Sequence, residues 1–333
     1  MLTGWKAASI LPSNKDVIEQ LNIGIRFALY ANLMLLFGLQ FFGHYAFRGA
    51  DRPQDAVLPF RAVAVWLSAS GVAISLLSIT AMTASMAGVQ LLEVDTASIS
   101  VMIFETPMGN AWLVRIIALF ATFAVAFRMI DSKSLPKLTF VALGSGVALA
   151  SVAWTGHGAA KEGSAGAAQL IADIIHLLGA GAWLGALAAL TLMLFRSAQA
   201  STEDYLRLNH RLLKGFSVAG SIIVALVLGS GLVNSWMLVG PQNVLSLHTT
   251  LYGQLLIAKL ILFAIMLALA ATNRFTLTPA LERALQGGGT YRARRRLQIS
   301  LIIELSLAAA IIGLVAWLGT LEPPVSTPIS RST

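Results

Sequence analysis

Eight long apolar runs dominate this sequence of 333 residues. Each run has roughly the 20 or more residues that a helix needs to cross the hydrocarbon core of a bilayer. The runs cover residues 21–43, 62–88, 110–129, 137–156, 170–195, 216–238, 253–273 and 297–319. They are apolar on every face and lack the alternation of barrel strands, so they indicate helices. We therefore predict an all-α polytopic membrane protein with eight transmembrane helices.

Composition agrees with a membrane protein. Hydrophobic residues make up 57% of the chain and charged residues only 11%, whereas a soluble domain has about 25% charged residues. The mean hydropathy is +0.77. Residues 1–20 have neither the apolar core nor the small-residue cleavage site of a signal peptide, so we expect the first span to stay in the mature protein.

Basic residues occur in alternate loops and predict the topology. They cluster around 48–61, 128–137, 196–214 and 274–296. The intervening loops at 89–109, 157–169 and 239–252 contain a single basic residue, Lys161. The positive-inside rule then places the basic loops in the cytoplasm and both termini in the periplasm. We interpret the segment RARRRLQ at 292–298 as a topology anchor, so the formal charge of +8 does not indicate a nucleic-acid partner.

Two stretches of the chain resemble each other. TPMGNAWLVRIIALFATFAVAFR at 106–128 aligns with TLYGQLLIAKLILFAIMLALAATNR at 250–274, and Arg115 then corresponds to Lys259. Four helices separate the two copies, so both would have the same orientation in the membrane. We predict a parallel four-plus-four repeat with halves at 21–156 and 157–320, flanked by periplasmic segments at 1–20 and 321–333.

The chain has no cysteine, so a site for a soft metal must use histidine and methionine, with carboxylates as weaker ligands. His157 ends the fourth predicted span, and His176 lies in the first turns of the fifth. Asp173 precedes His176 by three residues and shares its helix face. A carboxylate costs roughly 2.5–3.5 kcal/mol at the centre of a span, so it usually marks a partner or a pathway. The further candidate ligands on this side are His248, Met82, Met86 and Met237.

Each of these residues also has a structural interpretation. Histidines at helix ends are often hydrogen-bonded to water or to the backbone, and methionines in membrane helices usually fill the core. Three cations, Arg26, Arg115 and Lys259, lie inside the spans on the same side. They could extend toward the interface, pair with Asp173, or bind an anion such as a carboxylate or a phosphate group.

The opposite side of the membrane has its own small group of polar residues. Glu304, His44 and Asn273 could form an exit or a proton-linked site. The sequence contains no G-x-x-x-x-G-K-[ST] motif, and its loops are too short for a nucleotide-binding domain. Any transport by this chain would therefore follow a gradient or be coupled to protons.

Four motifs carry a resemblance to a known family. ADIIHLLGAGAWLGALAAL at 172–190, WTGHG at 154–158, TLYGQLLIAKLILF at 250–263 and the later Asn273-Arg274 pair are the segments concerned. They resemble the bacterial copper-resistance D family, called CopD or PcoD, which consists of inner-membrane proteins with eight helices. The likeness is strongest between about 150 and 275, and Arg26 stands where the resemblance implies a further histidine.

The resemblance implies a function in copper homeostasis and no enzymatic activity. Members are described as moving copper ions across the inner membrane together with a periplasmic CopC-like copper-binding protein, which would bind here in trans. His157 and His176 stand within matching motifs, so the resemblance makes them copper ligands. Two alternatives stay open at this stage. One is a protein that binds haem b and transfers electrons or reduces copper, and the other is a sensor or scaffold for the periplasmic partner.

Overall fold

The computed structural model describes residues 14–46, 58–128, 135–156, 163–196, 203–287 and 290–324. Within these ranges the chain is helical and contains no strand. The helices are α1 Asn14–Ala46, α2 Phe60–Ala87, α3 Thr96–Glu105, α4 Pro107–Phe127, α5 Leu135–Ala150, α6 Gly163–Arg196, α7 Glu203–Val239, α8 Leu251–Thr272, α9 Thr278–Gly287 and α10 Thr290–Leu318. A 3-10 segment, Ser151–Thr155, continues α5, and a π segment, Asn273–Leu277, joins α8 to α9.

The structure confirms the prediction of an all-α polytopic membrane protein. In the described part of the chain, eight helices are long and apolar enough to cross a membrane. Their bounds differ from the apolar runs mainly at the start, since α7 begins at Glu203 and α10 at Thr290. The polar turns beyond an apolar run remain helical, because hydropathy limits the segment that lies in lipid and does not limit the helix. The predicted loop at 89–109 contains α3.

Asp95 caps the start of α3, the short helix within that loop. Its carboxylate accepts a hydrogen bond of 2.7 Å from the backbone N–H of Ser98. This satisfies one of the N–H groups that have no partner at a helix start. The Ser98 hydrogen bonds also lower the pKa of the Asp95 carboxyl below its ordinary value of 3.8.

We therefore expect a pH-dependent cap at Asp95. Because the folded pKa is lowered, the cap stabilises α3 above the unfolded pKa and is lost as the pH falls through the folded pKa. Carbon-13 NMR of the aspartate carboxyls should show one resonance whose pKa lies below the ordinary value of 3.8, and Asp95→Asn should remove that resonance. A midpoint at or above the ordinary value would contradict the prediction.

Helix α6 is the most buried of the eight spans in the described part of the chain. In the apolar segment of this helix 78% of the residues are buried inside the protein, against 17–56% in the other spans. It packs against α1, α5, α7 and α10, while α1 packs against α2, α5, α6 and α10. Because this segment of α6 faces protein on nearly every side, the helix can present polar side chains to the interior without exposing them to lipid.

Three glycines allow α1 and α6 to touch through their backbones. A Cβ atom at Gly38 of α1 would overlap the carbonyl oxygen of Gly181 and the Cα of Gly185 in α6. A Cβ at Gly185 would in turn overlap the backbone of Gly38. Gly181 and Gly185 are four apart and form the small-xxx-small pattern that permits close helix contact in membranes. This crossing determines how the first helix sits against α6.

The two segments that resemble each other in sequence have the same local structure. Thr106 caps α4 by accepting a 3.0 Å hydrogen bond from the N–H of Gly109, and Thr250 caps α8 by accepting a 3.1 Å bond from the N–H of Gly253. A Cβ at either glycine would overlap the backbone of the segment before the helix. The matching caps support the proposed repeat, and the boundaries of its halves stay a prediction.

Candidate functional site

A polar cavity of about 200 Å³ lies between α1, the end of α5, α6, α7, α8 and α10. We call it the histidine-side cavity. Its polar lining consists of Arg26, Tyr30, Thr155, Gln169, Asp173, His176, Asn234, Ser235, Tyr252 and Lys259. Polar and charged groups within spans are costly unless they have partners, so this concentration makes the cavity a candidate functional site.

The surroundings of His176 determine which of its ring nitrogens can bind a ligand. Nδ1 lies 3.1 Å from the carbonyl oxygen of Val227 and 3.2 Å from the hydroxyl of Ser230. A carbonyl oxygen only accepts hydrogen bonds, so this contact assigns the proton to Nδ1. Nε2 then keeps its lone pair. Metal-binding histidines in proteins are commonly oriented in this way, with the other N–H donated to a backbone carbonyl.

Asp173 lies one helical turn before His176 and has two partners in the cavity. Its carboxylate forms a hydrogen bond with the side chain of Asn234 and lies within electrostatic range of Lys259. The Oδ1 atom of Asn234 is buried and has no hydrogen-bond partner in the described ranges, so the NH₂ group of this amide is the donor. Asp173 therefore supplies a negative charge beside the imidazole, partly offset by a lysine.

Gln169 is a member of the site that the sequence-based prediction missed. Its side chain is fully buried, at 0% exposure, and lines the cavity. Neither its Oε1 nor its Nε2 has a hydrogen-bond partner among the described residues, and an unsatisfied buried group costs about 1–3 kcal/mol. Gln169, Asp173 and His176 follow an i, i+4, i+7 spacing and share one face of α6. That spacing is the signal that could have identified Gln169.

Two of the three cations within the spans reach this cavity. Lys259 lies near Asp173, and the guanidinium of Arg26 packs against Gly319, where a Cβ would overlap it. Arg115 is instead 1% exposed, does not line the cavity, and donates from Nε to the hydroxyl of Ser151 at 3.0 Å. The described charged lining thus contains two cations and one carboxylate, which would hold a cation only weakly.

The structure locates the remaining predicted ligands as follows. His157 lies outside the described residues. His248 is exposed in the 3-10 turn Leu247–Thr249, and Met237 is half-buried on α7 without lining the cavity. In the part of the chain that the structure describes, histidine, aspartate and glutamate form no group of three or more suited to a metal ion.

The two methionines of α2 lie in another part of the bundle. Met82 packs against the apolar cluster of Ile79, Met102 and Trp112, and Met86 is 67% exposed. Neither lines the histidine-side cavity. The structure therefore brings Asp173 and His176 together and keeps these methionines apart from them, and the metal-ligand role of all these residues stays a prediction.

Two further cavities continue inward from the histidine-side cavity. A central cavity of about 330 Å³ shares Tyr30, His176 and Lys259 with it and is otherwise largely apolar. A third cavity of about 500 Å³, which we call the glutamate-side cavity, shares Trp183 and Leu187 with the central one. Each cavity thus has lining residues in common with the next. Together they form a series along α6, α7, α8 and α10.

The glutamate-side cavity contains part of the second polar group that the sequence suggested. Asn273 donates a hydrogen bond from Nδ2 to Oε1 of Glu304, and both residues line this cavity. His44 is not part of its lining. The other charged residues at its wall, in the part that the structure describes, are Arg274 and Glu282.

Comparison with known families and proteins agrees with this architecture. Residues 17–167 match the family model described as "Copper resistance protein D-like, N-terminal domain", and residues 210–318 match "Copper resistance protein D". No solved structure matches the chain significantly.

Three curated relatives are similar over most of this chain. "Copper resistance protein D" of Pseudomonas syringae pv. tomato is 44% identical over 92% of this chain and 97% of its own length. "Inner membrane protein YebZ" of Escherichia coli is 29% identical over 90% of this chain and 98% of the relative. "Copper transport protein CutJ" of Bacillus subtilis is 29% identical over 82% of this chain and 50% of the relative. The chain therefore belongs to the copper resistance protein D family and is a multi-pass protein of the bacterial inner membrane.

Proposed function

We propose that this protein moves copper ions across the inner membrane and takes them up at the histidine-side cavity. The observation that carries the proposal is the position of His176. Its proton is directed to the Val227 carbonyl, and its side chain lines both the first and the second cavity of the series. The names of two relatives, which concern copper resistance and copper transport, support copper as the cargo.

The distribution of positive charge supports an orientation. Four arginines, Arg292 and Arg294–Arg296, stand in the first turns of α10, whereas Leu318 and Gly319, which line the histidine-side cavity, lie at the opposite end. Under the positive-inside rule the end with the arginines faces the cytoplasm, and the histidine-side cavity then opens toward the periplasm. A periplasmic CopC-like protein would deliver copper on that side.

The chemistry of the lining suits a metal that must be released again. Imidazole accepts Cu(I) or Cu(II), and the Asp173 carboxylate adds an oxygen ligand. Lys259 opposes the bound cation and keeps the affinity low, as a transport site requires. In the central cavity two thioethers, those of Met34 and Met266, offer soft ligands for Cu(I) further along the path. Neither methionine is among the ligands predicted from the sequence.

Copper uptake into proteoliposomes tests the proposal. We expect wild-type protein to deliver external copper to a chelator inside the vesicles, and Asp173→Asn to slow delivery by about 10-fold or more. Glu322→Gln is the matched control, because Glu322 is exposed at the far end of α10 and loses the same charge.

Three outcomes would reject this function. They are wild-type vesicles that gain no copper, an Asp173→Asn variant that transports at the wild-type rate, and purified protein with the intense visible absorption of bound haem. Copper binding without uptake would favour the sensor or scaffold.

A further inference from the structure

The paired side chains of Glu304 and Asn273 lie deep in the bundle, away from the proposed copper site. Glu304 is 1% exposed on α10, and Asn273 is 8% exposed at the first position of the π segment. A carboxyl group this deeply buried is expensive in a membrane protein unless it has a function or a full set of partners. Asn273 supplies one partner, through its donated hydrogen bond to Oε1.

Asn273 itself is left with an unsatisfied atom. Its Oδ1 is buried and has no hydrogen-bond partner among the described residues. An ionised carboxylate contains only acceptors and cannot satisfy this oxygen, whereas a protonated carboxylic acid carries one O–H donor. A proton on Glu304 therefore provides a donor beside the acceptor that lacks one. Amide and acid would then be joined by two complementary hydrogen bonds.

The local backbone and the cavity give this pair access from one side. The helical geometry changes from α8 to a π segment at Asn273, and π segments in helices often occur at functional sites. Both side chains line the glutamate-side cavity of about 500 Å³. A proton could thus reach Glu304 from that end of the bundle.

The charged groups around the cavity allow the proton to leave again. Arg274 and Glu282, from the π segment and α9, are the other ionisable residues among the described part of its lining. Among the side chains that the structure describes, those of α6, α7 and α8 in the lining include no ionisable group, and α1 contributes no described residue to it. Arg274 lines the same cavity as Glu304, but its guanidinium donates to the hydroxyl of Ser221 and lies 5.2 Å from the Phe275 ring centre. Neither protonation state is therefore locked in place.

We propose that Glu304 and Asn273 form a proton-binding site that exchanges with the glutamate-side cavity, and that protons bound there are coupled to copper movement. The proton-binding site itself does not depend on copper transport. The coupling to copper rests on the proposed function, since copper would have to pass along the same series of three cavities in which the protons bind.

Infrared spectroscopy of the copper-free protein in lipid nanodiscs tests the proton-binding site. We expect a carbonyl band of a protonated carboxylic acid near neutral pH, where an ordinary glutamate is ionised, and we expect this band to shift in D₂O and to lose intensity as the pH is raised. Glu304→Gln should remove the band, and Asn273→Ala should shift its frequency by removing the hydrogen bonds to it. Asp173→Asn, the matched control at a half-buried carboxyl of another span, should leave it unchanged. A band that persists in Glu304→Gln, or its absence from wild type, overturns the proton site.

Vesicles that contain a pH-sensitive dye test the coupling. Wild-type protein should change the internal pH when copper is added outside, and Glu304→Gln should abolish that pH change. A Glu304→Gln variant with the wild-type pH response would overturn the coupling. If wild-type protein moves no copper, both the proposed function and the coupling fail, while the infrared result still decides the proton site. Size-exclusion chromatography shows whether each variant is folded.

Discussion

Leucine at Gly185 should leave almost no folded protein in the membrane. Gly185 faces the backbone of Gly38 where α6 crosses α1, and even a single Cβ would overlap backbone atoms there. Inserting extra atoms into a core costs about 1–3 kcal/mol when side chains can move aside. At this crossing the obstacle is backbone, so the two helices must separate and the central packing of α6 is lost.

The matched control for this experiment is Gly229→Leu. Gly229 lies within a transmembrane helix too, but a Cβ there has no atom within 4 Å. Fluorescence-detected size-exclusion chromatography of detergent extracts would compare the variants. We expect a monodisperse peak for wild type and Gly229→Leu, and aggregated or missing protein for Gly185→Leu. A wild-type profile from Gly185→Leu would show that α1 and α6 do not meet as described.

Alanine at His176 should weaken Cu(I) binding by about 10-fold or more. The variant removes the imidazole whose Nδ1 proton is held by the Val227 carbonyl and whose Nε2 carries the lone pair. Asp173 would remain, but a carboxylate alone is a poor ligand for a soft cation. A competition titration of purified protein against a Cu(I) chelator measures the change.

Two further variants separate a ligand from a structural histidine. His248→Ala should bind copper like wild type, because His248 is exposed and does not line the cavity. Ser230→Ala should cause a smaller loss than His176→Ala, since Ser230 only helps to orient the ring, at 3.2 Å from Nδ1. Equal affinities in wild type and His176→Ala would remove His176 from the copper site. His157→Ala in the same titration tests the other histidine that the family resemblance indicated.

Local properties of the chain explain why several features could be predicted from residue order. The apolar length of each run predicted the eight spans, because crossing a bilayer requires a minimum length of apolar helix. The three-residue spacing of Asp173 and His176 predicted their common helix face, and both line one cavity. The same periodicity extends to Gln169, so helical spacing along α6 is sufficient to include it.

The methionines show which features could not be predicted from residue order. Met82 and Met86 lie in the same predicted layer as His176, but the structure puts them beside α3 and α4 or on the exterior. No pattern in the sequence singles out Met34 or Met266 as a ligand, but both line the central cavity. Depth in the membrane can be estimated from position along a helix. Neighbours at that depth depend on the order of the helices around the bundle.

Residue type and spacing within one helix are sufficient for the number of spans, the absence of thiol ligands, and the helix face that carries Asp173 and His176. Helix packing was needed to show that Asn234 reaches Asp173, that Val227 orients His176, and that Asn273 bonds Glu304. Each of these pairs joins different segments of the chain, and their meeting depends on contacts such as the backbone approach between Gly38 and Gly185. Side chains 31 to 61 residues apart meet only after the helices have packed.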